Sequence, residues 1–277
     1  MMEKSIPEYG VRVERKGQVA IMTFDRPERL NAFDETMWGS FEEVLAELKE
    51  RLPRVLVLTG AGDRSFSAGF DINPENPQVA NLIEAVMNRD RDPVDRLINR
   101  VRKAVDDLVF LPIPVIAALN GDAYGGGAEI AVRCDMRVMD PGACISFSEV
   151  KLGLMPDHGG AVGLTRLVGP GRAADLILTA RKLPANEALN LGIVNRISEP
   201  GKALAEALIL AETIAAMGPR AVRHALEVIR RTPDIPQREA LELETEKAVT
   251  LIASGECYHG ILAFLEKRKP QFPEFSE

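Results

Sequence analysis

Cysteine is scarce in this chain: Cys134, Cys144 and Cys257 are the only three. An odd count without close spacing excludes a disulfide framework and a cysteine-based zinc pattern. Cys134 and Cys144 sit among apolar residues and read as small buried hydrophobes. No apolar run approaches the roughly 20 residues a membrane helix needs. The first ten residues are charged, carry Pro7 and lack the apolar stretch of a signal peptide. A cytoplasmic location without a membrane partner follows by default. Excess positive charge is also missing, because 34 basic side chains face 41 acidic ones, a net −7. Such a chain is a poor generic polyanion binder, which disfavours nucleic acid as the main partner. A local basic pocket for one phosphorylated ligand stays open.

What is present is an ordinary globular composition, 46% apolar and 27% charged over 277 residues. Val19 to Phe24 reads as a strand stopped by Asp25-Arg26-Pro27. Glu35 to Lys49 has helical spacing, with Met37, Phe41, Val44, Leu45 and Leu48 on one face. Short apolar strands follow at Val55–Leu58, Pro114–Leu119 and Met136–Met139. Helices are expected at Val94–Leu111 and from Gly125 to Val132. Strands alternating with helices predict an α/β fold around a partly parallel sheet. After Gly201 the pattern becomes helical only, over Lys202–Met217, Pro219–Arg231, Arg238–Ala253 and Cys257–Lys267. Residues 76–95 mix Pro, Asn and charge, and read either as a mobile wall beside a pocket or as an ordinary surface excursion.

Three segments carry candidate chemistry. Gly125-Gly-Gly-Ala-Glu129 follows a strand and a turn. A helix start exposes unpaired N–H groups and partial positive charge, and glycine lets a ligand approach the backbone. Gly126 and Glu129 are three apart, so one helix face would present an N–H donor and a carboxylate together. An enolate needs the donor and a proton transfer needs the carboxylate. The alternative is a tightly packed helix start with Glu129 salt-bridged. In Phe66-Ser-Ala-Gly-Phe-Asp71, small residues allow the Ala68 N–H to face a cleft, or else form a plain turn. In Glu149 to Gly160, Glu149 and Asp157 lie eight apart with His158 beside the second. These acids either converge on a site or are solvated at the surface. His158 serves as a base or caps a backbone group, and capping is preferred. His224 and His259 read as structural or exposed.

Together the segments resemble the crotonase superfamily, the enoyl-CoA hydratase/isomerase family. Ser67-Ala68-Gly69-Phe70-Asp71 resembles its first oxyanion motif, and Asn120-Gly121 through Glu129 its second. Pro156 to Gly160 resembles the loop after its second catalytic acid. Arg26-Pro27 with Leu30 to Phe33, and Ala188 to Val194, also fit, over roughly Val13 to Arg268. The resemblance implies a β-β-α spiral core over residues 1–199 and a helical trimerisation region over 200–277. It implies an oxyanion hole at Ala68 and Gly126, with Glu129 and Glu149 as catalytic acids. The implied reaction adds water to a 2-enoyl-CoA thioester, in fatty acid metabolism. Implied CoA or substrate contacts are Arg29, Leu30, Ser67, Gly69, Phe70, Asp71, Ile72, Phe264 and Lys267. Phe264 and Lys267 are expected to share a helix face. Coenzyme A enters as part of the substrate, with no tightly bound cofactor and no metal. The expected assembly is a homo-trimer or hexamer.

Two departures stand out. Asp157 replaces the glycine of typical hydratases, which opens two alternatives: a dienoyl- or enoyl-CoA isomerase using Glu149 and Asp157, or a carbon–carbon hydrolase of diketones. Pro-Asp is also a common turn opening. Asn73 stands where many relatives place a lysine near the CoA phosphates. An RNA-binding relative is the alternative from another class, opposed by the charge of −7 and the lack of a dense Lys/Arg cluster.

Overall fold

The structure, a computed structural model, describes residues 9–273. The charged stretch read as lacking a leader falls mostly on residues 1–8, outside the described residues. Six strands form a first sheet: β1 (Gly10–Lys16), β2 (Val19–Asp25), β3 (Val55–Gly60), β5 (Val115–Leu119), β7 (Met136–Met139) and β10 (Arg196–Ile197), neighbours in that order. The β1–β2 pair is antiparallel and every other pairing is parallel. A second sheet is built from much shorter strands, β4 (Ser65–Ser67), β6 (Asp122–Tyr124), β8 (Cys144–Ser146) and β9 (Leu183–Pro184), again in that order.

Each turn of the chain supplies one strand to each sheet and then a helix. β3 and β4 lead to α2 (Pro77–Asn88) and α3 (Asp92–Val109). β5 and β6 lead to α4 (Gly126–Arg133). β7 and β8 lead to α5 (Gly160–Val168) and α6 (Pro170–Thr179). This is the β-β-α spiral the resemblance implies. Strands buried on both faces read as continuous apolar runs, and β3 and β5 are buried throughout.

α1 (Glu35–Glu50) is capped by Asp34, whose side chain accepts from Met37 N at 3.0 Å. Its buried face adds Trp38 to the expected Met37, Phe41, Val44, Leu45 and Leu48. Trp38 and Phe41 join Phe24, Phe33 and Phe66 in a cluster of tilted and edge-to-face rings. α7 (Ala185–Asn190) precedes β10. Then α8 (Ala203–Ala215) lays Ala207, Leu210 and Ala211 over Val55, Val57 and Ile116 on the first sheet. α9 (Pro219–Arg231), α10 (Gln237–Ala253) and α11 (Glu256–Leu265) complete the described chain, which has no strand after β10.

One expectation gains detail and another needs correction. Residues 76–95 form a wall of a cavity that Glu35 and Arg100 also line. They hold α2, with Asn76 as N-cap and Pro77 in the first turn, and the start of α3. Phe264 and Lys267 do not share a helix face. α11 ends at Leu265, and Lys267 takes a left-handed conformation with φ 54°. The Lys267 and Arg268 N–H groups close back on Phe264 O (3.2 Å) and Ala263 O (3.0 Å), a helix-terminating Schellman pair. Among the described residues, no single helix is long and apolar enough to cross a membrane.

Candidate active site

Segment 66–71 lies beside segment 30–33, and that pairing decides which N–H groups are free. The Ala68 N–H donates to Leu30 O at 2.9 Å, so it is consumed by the pairing and does not face a cleft. Ser67 is fully buried. Its hydroxyl donates to Asn31 O (2.8 Å) and accepts from Gly69 N (3.1 Å). Phe33 N donates to Gly69 O (2.7 Å), and Asp71 N donates to Phe33 O (2.9 Å). These two bonds flank Phe70 in a parallel bridge with Phe33, so the Phe70 N–H points to the opposite side. Helix α4 approaches this loop closely. A Cβ on Gly69, whose φ is +83°, would lie 2.6 Å from Gly126 N. Only glycine permits that approach.

Two of the expected ligand contacts have side-chain partners within the chain. The Asp71 carboxylate takes a 2.6 Å bond from Arg26 and a 2.9 Å bond from Asn73 N. Arg26 in turn meets Asp34 at 3.1 Å under the Tyr9 ring. Asp71 is therefore committed to a buried ion network. Arg29 is exposed and pairs with Glu75 at 3.2 Å. Asn73 Oδ1 accepts from Glu75 N at 3.0 Å. Leu30 is half-buried with a left-handed backbone, while Ile72 and Phe264 are exposed.

Glu129 lies in the first turn of α4 and is 1% exposed. It is held by backbone rather than by a cation. Oε2 accepts from His158 N and Gly160 N, both at 2.8 Å, and Oε1 from Asp157 N at 3.3 Å. Burial pushes its pKa up to about 8. The Gly160 and Asp157 N–H groups oppose that rise, and the charges of Glu149 and Asp157 add to it. Glu149 opens a 3-10 turn, Glu149–Leu152. Both of its carboxylate oxygens are buried without a hydrogen-bond partner among the described residues, and burial again raises the pKa. A Cβ at Gly125 would lie 3.7 Å from Glu149 Oε1, which places this acid at the start of α4 beside Glu129. The two expected acids thus converge at the helix start.

Asp157 also converges, by way of His158: its Oδ1 is 3.3 Å from His158 Nε2, and burial raises its pKa. The His158 ring is buried against Trp38 and over Gly126, where a Cβ would sit 2.6 Å from Cε1 and Nδ1. It caps no backbone group, since its Nδ1 has no partner. Burial and the nearby Arg133 charge push its pKa down to about 4, so the ring is neutral. Arg133 escaped the sequence reading. It bonds His158 O at 2.8 Å and Asp106 at 2.5 Å, pinning the loop. Its position four residues after Glu129, on the same helix face, was the available signal. His224, on α9, is half-buried and His259, on α11, is exposed.

Glu129, Asp157 and His158 offer ligand atoms within 4.8 Å of one another, the spacing of a cation site. Both Glu129 oxygens already accept backbone N–H bonds, which occupies lone pairs that a metal would use.

Stacked sheets wound as a β-β-α spiral, with two buried carboxyls at a glycine-rich helix start, define a crotonase-type protein. The family model described as enoyl-CoA hydratase/isomerase matches residues 14–275. A short-chain-enoyl-CoA hydratase of Clostridium acetobutylicum is 37% identical over 94% of this chain and 95% of its own length. A crotonyl-CoA hydratase of Syntrophomonas wolfei is 33% identical over 94% of this chain and 96% of its own. The solved structure of an enoyl-CoA hydratase from Bacillus anthracis superposes with a TM-score of 0.86 at 31% identity, covering 95% of this chain and 98% of that one. The chain belongs to the enoyl-CoA hydratase/isomerase family, and it is an enzyme.

Proposed function

We propose that this enzyme adds water across the double bond of a 2-enoyl-CoA thioester. The observation that carries the reading is the pair of buried carboxyls, Glu129 and Glu149, set at the N-terminus of α4 with pKa values raised by burial. Two interacting acids of this kind divide naturally into one donor and one acceptor. Glu129 in its ionised form activates the water, and Glu149 delivers the proton to the α carbon. The thioester oxygen gathers negative charge between the two steps. The N–H groups of Gly126 and Phe70 receive it, Phe70 replacing the expected Ala68. The relatives named as hydratases support the same reading, and Asp157 engages the His158 ring rather than serving as a second isomerase acid.

Coenzyme A arrives and leaves with the substrate. A cytoplasmic setting suits a soluble CoA thioester, and the active unit is a homo-trimer or hexamer. The test is a panel of 2-enoyl-, dienoyl- and 3-hydroxyacyl-CoA thioesters with products resolved by mass. A gain of one water on the 2-enoyl thioester is expected. An unchanged mass with a shifted chromophore indicates isomerisation and contradicts the proposal.

A further inference from the structure

Hydration leaves the carboxylate pair out of register. The acid that activated water ends with a proton, and the acid that protonated carbon ends without one. The pair must be reset before the next turnover, and Glu129 is almost completely shielded from solvent.

His158 stands between this buried acid and the surface. Its Nδ1 is 3.9 Å from Glu129 Oε1 and its Nε2 is 3.3 Å from Asp157 Oδ1. The His158 side chain is 6% exposed and the Asp157 side chain 38%, so the series runs from interior to solvent. A neutral imidazole has one donor and one acceptor, and a carboxylate can only accept. Nε2 therefore carries the proton toward Asp157, and Nδ1 keeps a lone pair on the Glu129 side. That lone pair has no partner among the described residues. On Glu129, Oε2 is taken by two N–H donors at 2.8 Å, whereas Oε1 has one long contact at 3.3 Å. The acid's proton belongs on Oε1, the oxygen nearer His158. The charged neighbours of the ring are Glu129 and Arg133 from α4 and Asp157 from its own loop, with Trp38 of α1 packed on it at 5.7 Å between centroids.

We propose that His158 and Asp157 form a proton relay that drains Glu129 after each hydration. The Glu129 O–H bond breaks as Nδ1–H forms, and Nε2–H breaks as a proton passes to Asp157. No electrons are transferred. Asp157 releases its proton to water, and the ring returns to the first tautomer by exchange with solvent, Nε2 taking up one proton as Nδ1 gives one up. Glu149 regains a proton from solvent as product leaves, which balances the one that Asp157 released. The 3.9 Å gap closes by a small ring movement or through one water. The relay rests on the hydratase reading for its use, though not for its geometry.

The test compares single-turnover and steady-state hydration of a 2-enoyl-CoA in wild type, His158→Phe and Asp157→Asn. Phenylalanine keeps the packing on Trp38 and removes both nitrogens. The single-turnover rate should stay within about threefold of wild type while steady-state kcat falls about tenfold or more, a modest share of what proton transfer contributes. Imidazole or another small buffer should restore kcat in Asp157→Asn. Wild-type kcat in both variants overturns the relay, as does an equal fall in both rates without buffer rescue. A second readout needs no activity. With 15N-labelled histidine, and His158→Phe to assign the signal among three histidines, the ring should be neutral and protonated at Nε2 near pH 7. Protonation at Nδ1, or a cationic ring, overturns it. A wild type that hydrates nothing but shows the Nε2–H tautomer defeats the hydratase reading and leaves the relay geometry standing.

Discussion

Glu129 shows how one residue trades stability for reactivity. Three backbone donors favour its charged form, yet burial prevails and carries its pKa from 4.5 to about 8. The folded protein therefore holds this proton over a range where the unfolded chain has lost it. Stability from Glu129 is full below pH about 4.5 and declines as pH rises toward about 8, because the unfolded state binds fewer protons in that window. Glu129→Gln, neutral at every pH, should lose this slope. Its thermal midpoint relative to wild type should increase between pH 5 and 9, measured by calorimetry. A constant difference across that range would contradict the raised pKa. Both glutamates, Asp157 and Gly126 were legible in the sequence because acids and glycines are recognised by type. The Ala68 assignment failed because a backbone donor is chosen by pairing, and the Leu30 carbonyl that takes Ala68 lies 38 residues earlier.

Among elements, the central strands β2, β3, β5 and β7 and helix α1 were legible because the strands are largely apolar runs and the helix carries a continuous buried stripe. The second sheet was not. Its strands are two or three residues long, too short for any alternation to register. β1 was passed over because only Val11 and Val13 mark its inner face among charged residues. α2 was missed for a different reason. Its cap, Asn76-Pro77, is a legible start, but Ile83, Val86 and Met87 are exposed and Ala85 is its only fully buried apolar residue, so no continuous apolar stripe marks the helix. The end of α11 is a backbone event at Lys267, where no glycine or proline announces the stop.

At the scale of the molecule, α10 and α11 expose Leu241, Val249, Ile252, Tyr258, Ile261, Phe264 and Leu265. An apolar surface of that extent on a chain with net charge −7 calls for cover, which the proposed trimer or hexamer supplies. Light scattering at micromolar concentration should report three or six copies. Phe264→Glu, at a position 82% exposed in the single chain, should shift the protein toward monomers. A fully active monomeric wild type would contradict the assembly.

The central claim is that Glu129 and Glu149 together hydrate a 2-enoyl-CoA, and its most direct test is turnover of one such thioester by wild type, Glu129→Gln and Glu149→Gln, followed by the mass gain of one water. Each substitution keeps the side chain's size and removes its acid–base function. We predict that each lowers kcat by about 10²–10⁴ while thioester binding survives. Near-normal hydration by both variants would contradict the account.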